Sequence, residues 1–358
     1  MEPRDRIDPD RLRDFARRTF GTMNGAVTAA LIQLGDALGL YRGLADGGPA
    51  TSAELASRTG LHERWVREWL YNQAAAGLIE HEDERFGLSP EGEAVLADED
   101  HPAFAGGTFS QLPAMMRVLE PLRESFRTGI GLDYDALGPE GAAGVERGFA
   151  PWVKTFLVPV GVKAVPGLRD RLEAGARVAD IGCGAGAALI ELARSFPKSE
   201  FHGYELSQHA LDRAAANVAA AELANVAFHH VRHDALPADG RYDVALTFDC
   251  LHDMAHPDRV MAQIRSALHD DGLWWIADIK SHPTFEENVA ENPMASMMYG
   301  FSVLTCMSSA MSESDGLGLG TLGFHEQRAR EMTAAAGFSR FERLAIDHPI
   351  NAFYVVRP

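Results

Sequence analysis

Acid-base chemistry suggests itself first at His252-Asp253, inside the stretch FDCLHDM (248–254). An imidazole titrates near neutral pH, so His252 is a candidate base for a hydroxyl about to act as a nucleophile. A pocket wall, a substrate-positioning contact or plain structure are its other uses. Asp253 can orient the ring or cap a following helix. Four further carboxylates, Asp180, Glu205, Asp234 and Asp249, each close an apolar run: RVADIG, SEFHGYEL, VAFHHVRHD and YDVALTFD. After Asp180 come Gly182, Cys183, Gly184 and Gly186 in the order D-x-G-x-G-x-G, where bare backbone can pass beneath a ligand.

The elements that must position these groups follow from the periodicity. From Arg177 onward, short apolar runs alternate with helical stretches such as ALIELARSF and HALDRAAANVAAAEL, the pattern of a parallel sheet with helices on both faces. A ligand on such a sheet lies at the carboxyl ends of the strands, where strand order reverses. There Asp180 can accept from a positively charged ligand end or hold the loop through backbone amides. Glu205, with Leu206 beside it, can take both hydroxyls of a ribose or cap the next helix. Asp234, with Ala235, can meet an exocyclic adenine amine, and Asp249, with Cys250, stands where a reacting group would sit. Gly182, Gly184 and Ala187 also satisfy the dinucleotide pattern G-x-G-x-x-G/A, which keeps a nicotinamide or flavin enzyme open at this point. His229, His230 and His233 are neighbours on a strand that face opposite ways, so no metal site is expected of them.

Taken together, DIGCGAG, YEL, HDA and FDCLHDM resemble, in that order, the sequence motifs of class I S-adenosylmethionine-dependent methyltransferases. The resemblance implies an α/β fold: a Rossmann-like doubly wound seven-stranded sheet whose C-terminal antiparallel hairpin is FERLAIDHPINAFYVVRP. It implies S-adenosylmethionine as cofactor, S-adenosylhomocysteine as product, and a small-molecule acceptor, an aromatic or apolar hydroxyl compound. LHDM resembles the HDW stretch of plant-type O-methyltransferases, with Met254 in place of the tryptophan. In related enzymes a segment like 281–322 shapes the acceptor pocket. Met294, Met297, Met298 and Phe301 are its candidate wall, with core packing or a dimer seam as the alternative. Gly316, Gly318 and Gly320 would free the end of that segment as a lid.

The first hundred residues read differently. A helical stretch from about 21 to 45 precedes a unit opened by Thr51 or Ser52 with Glu54 placed for a capping box, broken at Gly60, and ended by short strands near LIEHE and RFGLS. Helix, helix, turn, helix, hairpin is a winged helix-turn-helix, expected over 1–100 as a dimerisation or lid domain, followed by a helical connection over 101–170 and the cofactor domain over 171–358. Residues 1–100 hold 11 Arg against 19 Asp and Glu, and the whole chain carries a formal charge of −18. That balance opposes binding to a phosphate backbone. A regulator that merely binds S-adenosylmethionine remains as a second class of function, and a redox enzyme as a third. The segment MEPRDRIDPDRLRD lacks the apolar core of a signal peptide and no run reaches membrane-spanning length, so a cytoplasmic protein is expected. Three scattered cysteines fit neither a disulfide framework nor a zinc motif. A homodimer is expected from apolar surface and resemblance.

Overall fold

The computed structural model describes residues 7–358; residues 1–6, the first part of MEPRDRIDPDRLRD, lie outside it. The chain divides into two compact units, one ending at Pro113 and one running Ala114–Pro358. In the first, helix Pro9–Ala37 is longer than periodicity indicated, because the Asp8 carboxylate caps it by accepting from the amides of Asp10 and Arg11. Helices Ser52–Thr59 and Glu63–Ala75 and the strands β1 (Glu80–Glu82) and β2 (Arg85–Gly87) complete the winged helix-turn-helix. Thr51 and Glu54 form the expected capping box. Helix Gly106–Ser110 packs back on Pro9–Ala37, which is why this unit runs past residue 100. In the helix Glu63–Ala75, Arg64 is paired with Glu68 and Arg67 with Glu63, one turn apart. Those paired arginines leave that helix no surplus cation to offer a phosphate backbone.

The second unit is built on a seven-stranded sheet in the order β5-β4-β3-β6-β7-β9-β8. Its strands are β3 (Arg177–Ile181), β4 (Glu200–Glu205), β5 (Val226–His230), β6 (Tyr242–Phe248), β7 (Leu268–Ile279), β8 (Arg340–Arg343) and β9 (Asn351–Arg357). The first five pair in parallel; β9 runs antiparallel to both β7 and β8. Strand β5 is shorter than VAFHHVRHD suggested, since the chain turns at Val231–His233 and Asp234 follows that turn. Alternate residues of β7 feed separate cores, Trp275 on one face and Trp274 on the other, both fully buried. The helical stretch after Ala114 belongs to this unit. Glu146 on helix Gly138–Trp152 accepts from Arg213 (2.6 Å) and Asn217 (2.7 Å) of helix Gln208–Ala221, and Phe156 stacks on Phe353.

The loop between β3 and helix Ala187–Ser195 occupies the switch point, where β3 lies between β4 and β6. Gly182, Gly184 and Gly186 all have positive φ, but only one of them borders open space. A Cβ at Gly182 would lie 2.8 Å from Cys250 Cβ, and one at Gly186 would lie 2.4 Å from Phe228 Cζ, whereas nothing stands within 4 Å at Gly184. Two of the glycines are therefore demanded by the protein's own packing. Gly186→Ala is expected to cost about 2–4 kcal/mol, from left-handed backbone plus a clash with an aromatic ring. Gly184→Ala should cost only the backbone share of about 1–2 kcal/mol. Equilibrium denaturation of the two variants checks the difference.

Candidate functional site

Glu205 ends β4 and holds the glycine loop. One carboxylate oxygen accepts from the Gly184 amide (2.9 Å), and the other accepts from the amides of Leu206 (2.7 Å) and Ser207 (2.8 Å). The carbonyl of Tyr204 takes the Gly182 amide at 2.8 Å. The loop-holding task offered to Asp180 thus falls to Glu205 and the backbone beside it. Asp180 lies in the middle of the sheet at the end of β3, 2% exposed. Burial first, and the neighbouring Glu205 charge second, push its carboxyl up to about 8. Cys183 packs toward Gly203, and Leu206 lies on the surface. Asp234 and Ala235 are exposed, and the Asp234 carboxylate contacts the His229 ring at 2.5 Å. His229 in turn contacts His202 at 3.1 Å, so the strand histidines form a carboxylate-linked pair across β4 and β5.

On the other side of the switch point, β6 delivers Asp249, Cys250 and a 3-10 turn Leu251–Asp253. Asp249 has a φ of 50°, is held by Asn351 from β9 (2.6 Å), and is pushed up to about 7 chiefly by burial, with the Asp278 charge adding to it. Cys250 donates its thiol to the Ile181 carbonyl at 3.1 Å, closing β6 onto β3. His252 is 3% exposed, and its Nδ1 meets Asp278 Oδ1 on β7 at 2.6 Å. Burial alone would lower the basicity of this ring, but the Asp278 charge and Cys306 outweigh it and hold the imidazole well above its ordinary range. The carboxylate that orients the ring is therefore Asp278, not Asp253, to which adjacency in sequence had offered that place. Asp253 is hydrogen-bonded to the Tyr134 hydroxyl instead. Asp278 was missed because it lies 26 positions from His252 in sequence. The available signal was a lone carboxylate in the apolar run LWWIADI, which a buried strand tolerates only beside a partner.

The segment 281–322 does not form one continuous methionine wall. Helix Ala295–Phe301 buries Met298 and exposes Met297, with Met294 capping its start and Phe301 half-buried at its end. It then widens into a π-turn over Ser302–Cys306. The glycines after it are not those of a loose lid. The Gly320 amide donates to the His252 carbonyl (2.9 Å) and the Leu317 amide to the Ala255 carbonyl (2.9 Å), so this loop is sewn to the turn that carries His252. Among the described residues, no helix is long and apolar enough to cross a membrane.

Residues 172–341 match the family model described as a methyltransferase domain, and residues 26–97 match the Rv2258c-like winged HTH domain. The mitomycin biosynthesis 6-O-methyltransferase of Streptomyces lavendulae is 26% identical over 301 residues, 77% of this chain and 79% of that protein. Among solved structures, a putative O-methyltransferase from Nostoc punctiforme superposes with a TM-score of 0.71 at 19% identity, covering 95% of this chain and 98% of the other. Human N-acetylserotonin methyltransferase, solved in complex with SAM, gives 0.64 at 14% identity, covering 100% and 99%. Both structures share the fold. The chain carries a methyltransferase domain, with a winged helix-turn-helix domain ahead of it.

Because the Asp180 carboxyl is raised above its unfolded value, the folded chain binds its proton more tightly than the unfolded chain. Stability of the ligand-free protein should fall as pH rises from about 4 through about 8. Asp180→Asn removes this slope. Denaturant titrations at pH 5 and pH 8.5 should show the wild type losing on the order of 1–3 kcal/mol relative to the variant.

Proposed function

We propose that this methyltransferase moves the methyl group of S-adenosylmethionine to a hydroxyl of a small aromatic or apolar molecule, with His252 as the base. The observation that carries the reading is the buried His252–Asp278 pair, set on the turn that leaves β6 at the glycine loop. The residues around the loop fit the donor. Open space at Gly184 admits a ligand against bare backbone. Asp180 and Asp249 are two buried carboxyls short of positive charge, as a ligand bearing a sulfonium and an ammonium requires. In this reading Glu205 keeps its hold on Gly184 while its remaining lone pairs take ribose hydroxyls, with Leu206 beside the sugar. Asp234 and Ala235 border the adenine, Gly182, Cys183 and Gly186 shape the cradle, and Cys250 closes its floor.

When bound, the donor supplies an electrophilic methyl carbon whose bond to sulfur breaks as the bond to the acceptor oxygen forms. The chain's own part is alignment, exclusion of water and removal of one proton. Asp278 fixes the ring through Nδ1, which leaves Nε2 of the neutral His252 ring to take the hydroxyl proton; the raised basicity makes that neutral form a stronger acceptor than a free imidazole and moves it to higher pH. Asp253 acts here through Tyr134 as a positioning residue. Met294, Met297, Met298 and Phe301 contribute the acceptor's apolar surroundings from the segment that ends in the π-turn.

The exposed face of helix Pro9–Ala37 supports pairing of two chains. Phe20, Val27 and Leu34 repeat every seven residues with Met23 between the first two, and all four are 44% exposed or more. Such a seam is self-complementary between antiparallel or parallel copies and costly to leave in water. Light scattering should give twice the chain mass, and Val27→Asp with Phe20→Asp should give a single chain; a wild-type monomer removes this reading.

Calorimetric titration with S-adenosylmethionine, S-adenosylhomocysteine and NADH tests the cofactor. Binding of both adenosyl ligands, weakened about tenfold or more by Glu205→Gln, is expected; an isotherm for NADH alone would overturn it. In a hydroxyl-methylation assay on phenolic acceptors, His252→Gln should lower kcat by about 10²–10⁴-fold with little change in the donor's affinity.

A further inference from the structure

The side of His252 away from Asp278 does not face apolar packing. The ligand atoms of His252, Asp253 and Cys306 all lie within 4.8 Å of one another. Cys306 ends the π-turn of the 281–322 segment, 8% exposed, and its thiol is surrounded by polar groups: Tyr134 hydroxyl at 3.8 Å, Thr305 hydroxyl at 3.5 Å and the His252 ring. An inert buried cysteine packs as a small hydrophobe. This one is placed as a donor.

We propose that His252, Asp253 and Cys306 form a binding site for a thiophilic divalent cation, of which Zn²⁺ is the fitting member. Three observations converge on it. The donor set of one imidazole, one thiol and one carboxylate is what zinc takes when it keeps a fourth position open. Nδ1 of His252 is already held by the buried Asp278, the carboxylate that fixes a metal-bound imidazole and directs Nε2 to the ion. The second oxygen of Asp278 is buried without a partner, and Asp253 stands on the same 3-10 turn as His252, so the carboxylates lie where an ion between His252 and Cys306 would meet them. Tetrahedral zinc ligands stand about 3.3–3.8 Å apart, so donors inside 4.8 Å need only small side-chain shifts to close on an ion.

The consequence for catalysis rests on the reading of His252 as base. The lone pair of Nε2 cannot hold a metal ion and receive the acceptor's proton at once, so zinc and methyl transfer exclude one another. The π-turn thereby carries an inhibitory metal site into the acceptor pocket. The binding itself stands apart from that reading.

A second cluster, His256 with Glu313 (3.0 Å) and Asp315 (3.3 Å), lies nearer the surface and is the natural competitor for added metal. The test therefore starts from His256→Gln, reduced and chelator-treated. Zn²⁺ titrated against a chromophoric chelator should bind at one per chain, and Cys306→Ser or Asp253→Asn added to it should weaken binding about tenfold or more. Co²⁺ in place of zinc should give a thiolate-to-metal charge-transfer band that Cys306→Ser abolishes. Thermal melts of the metal-free variants check that each is folded. Zinc binding that is unaltered by Cys306→Ser, or a cobalt complex without the thiolate band, overturns the site. For the inhibition, the ratio of methyl-transfer rates with and without zinc should rise toward one in Cys306→Ser; an unchanged ratio overturns the exclusion. Absence of methyl transfer in metal-free wild type would instead count against His252 as base, leaving the binding result to be read alone.

Discussion

The close approach of β3 and β6 at their carboxyl ends is the constraint on which the site depends. The Cys250 thiol bonds the Ile181 carbonyl, and this brings the Cys250 side chain to where any Cβ at Gly182 would sit. Bare backbone at 182 is the condition for the two strands to meet, and their meeting brings the glycine loop beside the turn that carries His252. On the far side of the loop, Phe228 from β5 imposes the same condition at Gly186. Of the loop's three glycines, only Gly184 has open space where a Cβ would stand.

Charge is arranged around these strand ends in a lopsided way. Asp180, Glu205, Asp249, Asp253 and Asp278 gather at the strand ends, whereas the arginines assigned a partner in the second unit serve surfaces and helix contacts, as Arg213 does with Glu146. Burying carboxylates without cations is expensive, and the raised Asp180 and Asp249 register that expense. If the proposed donor binds among them, its positive charge offsets that expense.

How much of this could be read in the chain beforehand depended on whether the cause was local. The capping box at Thr51, the strand-helix alternation and the acidic strand ends are written within a few residues and were legible. The roles of individual carboxylates were not, because each is decided by what a distant strand brings alongside. Asp253 was a natural partner for His252 by adjacency, yet successive residues of a tight turn point apart and β7 supplies Asp278 from 26 positions away. Glu205 was legible as an acidic strand end but not as the clasp of Gly184, since nothing in YEL says that the loop's amide points back at it. The helix start at Pro9 was missed for a simpler reason: its exposed face is apolar, so the stripe that marks an amphipathic helix is blurred.

The segment between β7 and the last helix shows why the same region resisted a simple reading. Regular helical spacing would have carried the face of Met294, Met297, Met298 and Phe301 on through Leu304 and Thr305, but the turn widens after Phe301 and rotates everything beyond it. That rotation carries Thr305 and Cys306 inward against Tyr134 and His252, and the following glycine loop then bonds the His252 carbonyl through Gly320. A π-turn costs helix hydrogen-bond geometry and persists where something else repays it. Here the repayment is polar: the segment is anchored to the turn that carries His252 from two directions. A change of side chain in this segment therefore acts on His252 as well.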